Sequence, residues 1–105
     1  MRIELLWCSD CPNHETAERL VRDRMMALGV DAPIERIRVE AEVIGKDVCF
    51  PGSPTIRADG IDVEPDWAPC DDCTPRCRLH ATAAGLRGLP EIEWIDAALR
   101  RARDA

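Results

Sequence analysis

The sequence predicts an α/β domain in which a central mixed sheet of about four strands is flanked by helices. The first observation is an apolar run from Ile3 to Trp7, which has the length of a buried strand and ends at a cysteine. The second is a pair of amphipathic segments, from Pro12 to about Leu28 and from Pro90 to about Ala102. The elements predicted along the chain follow the order β-α-β-β-β-α.

The first helix carries its apolar residues on one face, at spacings of three and four: Ala17, Leu20, Val21, Met25 and Leu28. Pro12 suits a first helical turn, and Gly29 suits the residue that ends the helix. The segment Ile34 to Val39 is predicted as the second strand. A helix between two strands favours parallel pairing of those strands through a right-handed crossover.

The middle of the chain is predicted as strands joined by turns. Residues 40 to 50 are ambiguous, and a short helical turn is one interpretation. Thr55 to Ala58 is predicted as a strand that ends in Asp59-Gly60, a hairpin-type turn signal. Residues 61 to 76 are predicted as a cysteine-containing loop insertion, because they are longer than a hairpin needs. Residues 77 to 82 are then predicted as the returning strand.

The last helix places its apolar residues on one face, and basic residues in its last turn complement the helix dipole. Its apolar residues are Ile92, Ile95, Ala98, Leu99 and Ala102. No repeat, low-complexity tract or linker interrupts the chain. The 105 residues are therefore predicted to form a single domain, residues 1–105, with one modest core.

Charge and composition restrict the partners. A formal net charge of -6 and an isoelectric point of about 4.8 argue against nucleic acid and anionic membranes, because phosphate binding needs clustered Lys and Arg. No basic start is followed by a long apolar segment, so we expect neither a signal peptide nor a membrane span, and we expect a cytoplasmic location. In a reducing cytosol the six cysteines favour redox or metal chemistry over a disulfide framework.

Cys8 and Cys11 lie between the first strand and the first helix, separated by Ser9-Asp10. Two cysteines at this spacing can close a small disulfide ring, and the start of a helix stabilises a thiolate through its free N–H groups and its dipole. The pair can therefore store or release two electrons. We expect Cys8, at the cap, to be the more exposed, attacking thiol and Cys11 to resolve the mixed disulfide.

A resemblance supports this chemistry. The order strand, Trp7-Cys8-x-x-Cys11, helix, strand, and then Gly52-Ser53-Pro54-Thr55 opening the next strand resembles the thioredoxin and glutaredoxin superfamily, particularly short thioredoxin-like proteins with a Trp-Cys-x-x-Cys motif. It covers nearly the whole chain and implies a thioredoxin-like domain.

The resemblance also implies a function. It implies a cis Ser53-Pro54 bond against the cysteine pair and a thiol-disulfide oxidoreductase whose catalytic residues are Cys8 and Cys11. Ser53 and Pro54 would align a disulfide-containing protein or a small thiol substrate, and no cofactor is expected. Trp7 is a candidate substrate contact that covers the site, although a strand residue packed in the core is an equal interpretation.

A second cysteine cluster consists of Cys70, Cys73 and Cys77, with His80 three residues further on. Four Cys or His ligands would satisfy a structural zinc site. If residues 77 to 82 form a strand, however, Cys77 and His80 face opposite sides. A local disulfide and free thiols are the other interpretations, and we expect this cluster to lie at the far end of the sheet from Cys8. Cys49 is interpreted as a small buried residue or as a thiol that traps a disulfide from the main pair.

Two further functions are compatible with the cysteine pair. One is a soft-metal carrier, in which Cys8 and Cys11 supply two thiolate ligands for Cu(I), Hg(II) or Zn(II). Small metal-binding domains of that kind usually end in a strand and lack a Gly-Ser-Pro-Thr element, whereas this chain ends in an amphipathic helix. The other is an interaction role without turnover, in which the cysteines are vestigial.

Overall fold

The computed structural model of the chain describes residues 1–41, 44–45, 50–65 and 76–104. No helix within these ranges is long and apolar enough to cross a membrane. The described helices and strands are β1 (Ile3–Trp7), α1 (Asn13–Leu28), β2 (Ile34–Arg38), β3 (Thr55–Ala58), β4 (Ile61–Asp62), β5 (His80–Thr82), β6 (Gly85–Arg87) and α2 (Ile92–Asp104).

Four strands form one mixed sheet in the order β2-β1-β3-β4. β1 pairs with β2 in parallel, with Ile3 opposite Ile34. It pairs with β3 in the antiparallel direction, with Leu6 opposite Thr55. The predicted α/β domain, with its mixed sheet of four strands and its parallel crossover through α1, is confirmed.

The two helices pack together over one face of this sheet. Successive residues of a strand point to opposite faces, so Leu5 enters the main core beside the helices. Leu6 instead joins Val39 and Phe50 in a small cluster of its own. The main core is built from these buried residues of both helices and of β1 and β3, together with Val63: Ile3, Leu5, Ala17, Val21, Met25, Ile56, Ala58, Val63, Ile95, Ala98 and Leu99.

The ends of α1 lie where the sequence predicts them. Gly29 ends the helix in the left-handed conformation, at a φ of 68°. The N–H groups of Gly29 and Val30 then donate to the last carbonyls, with Val30 N 2.8 Å from Met25 O. At the other end, Pro12 is the cap residue and Asn13 begins the helix. The first free N–H groups of α1 therefore follow directly after Cys11.

The prediction that residues 77 to 82 form the returning strand is wrong. Asp59 and Gly60 both adopt positive φ, at 51° and 82°, so a two-residue turn reverses the chain at once. The returning strand is accordingly β4, which pairs antiparallel with β3. β5 instead pairs with β6 in a separate two-stranded hairpin. The predicted insertion at about 61–76 thus begins with a strand, and its residues 66–75 lie outside the described residues.

His80, the first residue of β5, is fully buried. Its ring lies beside that of Trp94, with 6.4 Å between the ring centroids. Burial, and next the nearby cation of Arg78, lower the pKa of His80 from 6.5 to about 4. The folded chain therefore favours the neutral imidazole.

We expect this shift to make stability pH-dependent. The unfolded chain takes up the His80 proton as the pH falls through 6.5, whereas the folded chain does so only near pH 4. The stabilisation is thus complete above pH 6.5 and is lost as the pH falls towards 4. Relative to His80→Gln, the wild type should lose up to about 3 kcal/mol of unfolding free energy across that window. Urea unfolding at several pH values measures the difference in unfolding free energy between the wild type and His80→Gln. A difference that does not change with pH would contradict the lowered pKa of His80.

Candidate functional site

The cysteine pair lies at the end of β1 and the start of α1. A turn joins the two residues, in which the N–H of Cys11 donates to the carbonyl of Cys8 at 3.3 Å. Both thiols are enclosed, since Cys8 is 1% and Cys11 0% exposed. The exposure expected for Cys8 at the cap is therefore wrong, because another part of the chain covers both residues.

The predicted Gly-Ser-Pro-Thr element lies against this pair. The Ser53–Pro54 peptide bond is cis, as the resemblance predicts. The thiol of Cys11 donates to the carbonyl oxygen of Ser53, with Sγ 3.2 Å from the oxygen. Because β3 is the antiparallel neighbour of β1, the residues before Thr55 meet the residues after Trp7. Cys8, Cys11, Ser53 and Pro54 are thus brought together at one edge of the sheet.

Residues 76–78, which we call the strap, cover the site. The N–H of Ser53 donates to the carbonyl of Arg76 at 2.7 Å, and the N–H of Arg78 donates to the carbonyl of Ser53 at 2.8 Å. These bonds form a single parallel bridge between Ser53 and Cys77. The thiol of Cys8 lies 3.7 Å from the Arg76 carbonyl oxygen, to which it donates. Both backbone polar groups of Ser53 are therefore occupied by the chain itself.

The strap also corrects the predicted position of Cys77. We expected Cys77 at the far end of the sheet, in a structural cluster with Cys70 and Cys73. It instead lies opposite Ser53, next to Cys11, and its own side chain is exposed. The reason is that the returning strand is β4, so the chain after residue 76 is free to cross the site.

A buried ion pair holds the strap against the sheet. Both guanidinium Nη atoms of Arg78 contact the Asp62 carboxylate, with Nη1 2.7 Å and Nη2 3.0 Å from its two oxygens. The two side chains are only 4% and 2% exposed. Nη1 also donates to the hydroxyl of Thr55 at 3.0 Å, and Nη2 lies 3.4 Å from Glu64. A two-pronged pair of this kind fixes orientation as well as distance.

Gly52 allows this close approach. A Cβ atom on Gly52 would lie 2.8 Å from Cβ and 3.0 Å from Cα of Arg78. Its φ of 129° also lies in the region that favours glycine. A larger residue at position 52 would push the strap away from Ser53.

The electrostatics of the site favour neutral thiols. Burial raises the pKa of Cys8 above its ordinary value, and the charges of Cys11 and Glu40 add to that rise. The hydroxyl of Ser53 and the backbone of Asp10 oppose it. The interaction with Cys11 is the largest of several causes that raise the pKa of Cys77 to about 11.

Glu40 fixes the turn between the cysteines. Its carboxylate accepts hydrogen bonds from the N–H and the hydroxyl of Ser9, at 2.8 and 3.1 Å. Arg38 donates to the same carboxylate at 2.9 Å. These bonds lower the pKa of Glu40, with the Arg38 hydrogen bond as the largest cause, so the carboxylate stays charged near Cys8.

Trp7 lies on the β2 side of the site. Its half-buried ring stacks on that of His14, with 4.4 Å between centroids. Arg36 and Arg38 lie over the Trp7 ring, 4.8 and 5.4 Å from its centroid. Arg36 also lies 3.0 Å from Nδ1 of His14. His14 is therefore held in an aromatic and cationic stack beside the cysteine turn.

The predicted metal ligands are only partly within the described residues. Cys70 and Cys73 lie outside them, and so does Cys49, which is predicted to be a small buried residue or a disulfide trap. Within residues 1–41, 44–45, 50–65 and 76–104, no group of three or more His, Cys, Asp or Glu side chains is placed to hold a metal ion.

Neither the protein-family models, nor the curated proteins, nor the solved structures that we compared with the chain gave a match.

We expect the Arg78–Asp62 pair to control access to the thiols. Asp62→Asn removes the closer counter-ion of the buried Arg78 charge and leaves the more distant Glu64 carboxylate, at a cost of about 3 kcal/mol of unfolding free energy. The strap should then open more often, and alkylation of Cys8 in the native protein should accelerate by about tenfold or more, because local opening limits access to a buried thiol. Mass spectrometry of the tryptic peptide 3–19 measures this rate.

Asp96→Asn is the matched control. It breaks another two-pronged ion pair, in which Arg24 of α1 contacts Asp96 of α2 at 2.7 and 2.8 Å. This change should lower stability but leave the alkylation rate of Cys8 unchanged, once the globally unfolded fraction has been subtracted. Equal acceleration in both variants would show that general destabilisation, and not the strap, exposes the thiols.

Proposed function

We propose that this chain is a thioredoxin-like thiol-disulfide oxidoreductase in which Cys8 and Cys11 form the redox pair. One observation carries the proposal: a turn at the start of α1 places both thiols against Ser53, with Cys11 Sγ 3.2 Å from the Ser53 carbonyl. The sheet order β2-β1-β3-β4, with cysteines after β1 and a cis-proline before β3, supports the thioredoxin-like assignment.

The chemistry is thiol-disulfide exchange. The thiolate of Cys8 attacks one sulfur of a substrate disulfide, so that the substrate S–S bond breaks and a mixed disulfide forms. The thiolate of Cys11 then attacks the sulfur of Cys8 and releases the second substrate thiol. The substrate gains two electrons, and the protein is left with a Cys8–Cys11 disulfide. The free N–H groups at the start of α1 favour the thiolate, whereas burial opposes it.

Substrate access requires the strap to move. A protein substrate can bond to the backbone of Ser53 only after the Arg76 carbonyl and the Arg78 N–H have left it. The substrate class is a disulfide-containing protein or a small thiol compound. Trp7, with Arg36 and Arg38 above its ring, borders the site on the β2 side and is the proposed substrate contact.

We expect the two cysteines to have different roles. Cys8→Ser should abolish reduction of a generic disulfide such as insulin, because the attacking sulfur is lost. Cys11→Ser should instead accumulate a mixed disulfide between Cys8 and the substrate, seen as an added mass on the intact protein. Equal residual activity in the two variants would overturn the assignment.

We also expect the reactivity of Cys8 to rise steeply with pH. Its pKa is raised above the ordinary 9.0, chiefly by burial, so the thiolate fraction should still be rising at pH 9. The rate at which iodoacetamide alkylates Cys8 in the Cys11→Ser variant, measured against pH, gives the pH midpoint of Cys8 ionisation. Adding Asp62→Asn should move the midpoint down, because it removes the burial. A midpoint below 9.0 in Cys11→Ser alone would contradict the burial argument.

A further inference from the structure

Among the described residues, three cysteines meet at the site, and they differ in access. Cys8 and Cys11 are enclosed, whereas Cys77 is exposed. While the strap is closed, an external thiol can therefore reach Cys77 but neither member of the pair. Cys77 therefore offers the pair a route for the return of electrons that does not require the strap to open.

Ser53 aligns Cys77 with Cys11. Its carbonyl oxygen accepts from the thiol of Cys11 at 3.2 Å and from the N–H of Arg78 at 2.8 Å. Cys77 is the bridge partner of Ser53 in the same strap. Cys8 instead contacts the carbonyl of Arg76, on the other side of Cys77 along the chain. Cys77 thus lies between the contacts of both thiols, and its largest side-chain interaction is with Cys11.

We propose that Cys77 is a third redox thiol, which takes over the disulfide of the Cys8–Cys11 pair as a Cys11–Cys77 disulfide and exposes it to a dithiol reductant. This inference rests on the proposed function of Cys8 and Cys11. The largest of the causes that raise the pKa of Cys77 to about 11 is its interaction with the Cys11 side chain. Cys11 is thus also the neighbour that most affects Cys77 electrostatically.

The transfer balances without a further reactant. The Cys77 thiolate attacks Cys11 Sγ, the Cys8–Cys11 bond breaks, and the Cys11–Cys77 bond forms. Cys8 leaves as a thiolate and takes up the proton that Cys77 has lost. The three cysteines together neither gain nor lose electrons in this step, and the attacking thiol of the proposed reaction is restored.

Reduction then proceeds from the surface. One thiolate of the dithiol attacks Cys77 Sγ, and Cys11 leaves and is protonated. The second thiol of the reductant then attacks the reductant sulfur that is bonded to Cys77. The reductant closes into a cyclic disulfide, and Cys77 is released as a thiol. The reductant loses two electrons, and the protein returns to three thiols.

Trypsin separates the cysteines well enough to map this disulfide. The reduced protein is oxidised with one equivalent of dithiodipyridine, quenched in acid, alkylated after denaturation and digested. The cysteines then lie in four peptides: Cys8 and Cys11 in residues 3–19, Cys49 in 47–57, Cys70 and Cys73 in 58–76, and Cys77 in the dipeptide 77–78. The proposal expects the dipeptide 77–78 joined to peptide 3–19. Cys77 that stays alkylated, or that joins only peptide 58–76, would overturn it.

Single variants identify the partner of Cys77. The link between residues 77–78 and peptide 3–19 should persist in Cys8→Ser, because Cys11 remains. It should fall by about tenfold or more in Cys11→Ser, because the favoured partner is lost. The reverse pattern would assign Cys77 to Cys8 and overturn the proposed transfer.

Half-reactions separate the role of Cys77 from that of the pair. In Cys77→Ser, the Cys8–Cys11 disulfide should still form on oxidation, whereas reduction of the oxidised protein by dithiothreitol should slow by about tenfold or more, because its accessible sulfur is gone. Leu79→Ser, an exposed change two residues further on, is the control and should alter neither half-reaction.

The two proposals fail differently. If the oxidised wild type carries a Cys8–Cys11 disulfide and Cys77→Ser is reduced at the wild-type rate, only the role of Cys77 is overturned. If the wild type forms no disulfide that involves Cys8 or Cys11, the proposed function is overturned with it.

Discussion

The buried ion pair between Arg78 and Asp62 is the contact on which the site depends. It ties the strap to the β3–β4 hairpin, and Gly52 leaves room for the strap backbone beside it. The strap, once fixed, bonds to both backbone groups of Ser53 and closes over the two thiols. The burial of Cys8, its raised pKa and the place of Cys77 all follow from this one contact.

Two opposing effects act on Cys8. The start of α1 favours a thiolate, but enclosure removes the solvent that would stabilise the charge, and the Glu40 carboxylate adds repulsion. Burial prevails, so the closed site holds a thiol. For the proposed reaction, access to the thiols therefore matters more than their thiolate fraction, because the strap would have to leave Ser53 before a substrate could reach them.

Local patterns in the sequence predicted much of the sheet. β1, α1 and its Gly29 end have strong periodicity or a specific end residue, and Ser53-Pro54 has a recognisable sequence. β4 was missed as a strand because two residues show no alternation. Cys77 was misplaced for a similar reason, since a single bridge to a residue 24 positions earlier leaves no pattern in the sequence. The burial of Arg78 was equally hidden, because arginine is rarely buried unless it is paired.

The strap is held differently from the rest of the fold. The core strands share continuous ladders and an apolar interior, whereas the strap is held by the bridge to Ser53 and by the buried ion pairs of Arg78, and it carries an exposed cysteine. A buried ion pair adds little net stability, because desolvation offsets most of the attraction, but it permits one orientation only. Opening such a segment costs less free energy than unfolding the sheet, and the ion pair returns the segment to the same register when it closes. The arrangement thus combines a precisely placed third thiol with reversible access to the two thiols beneath it.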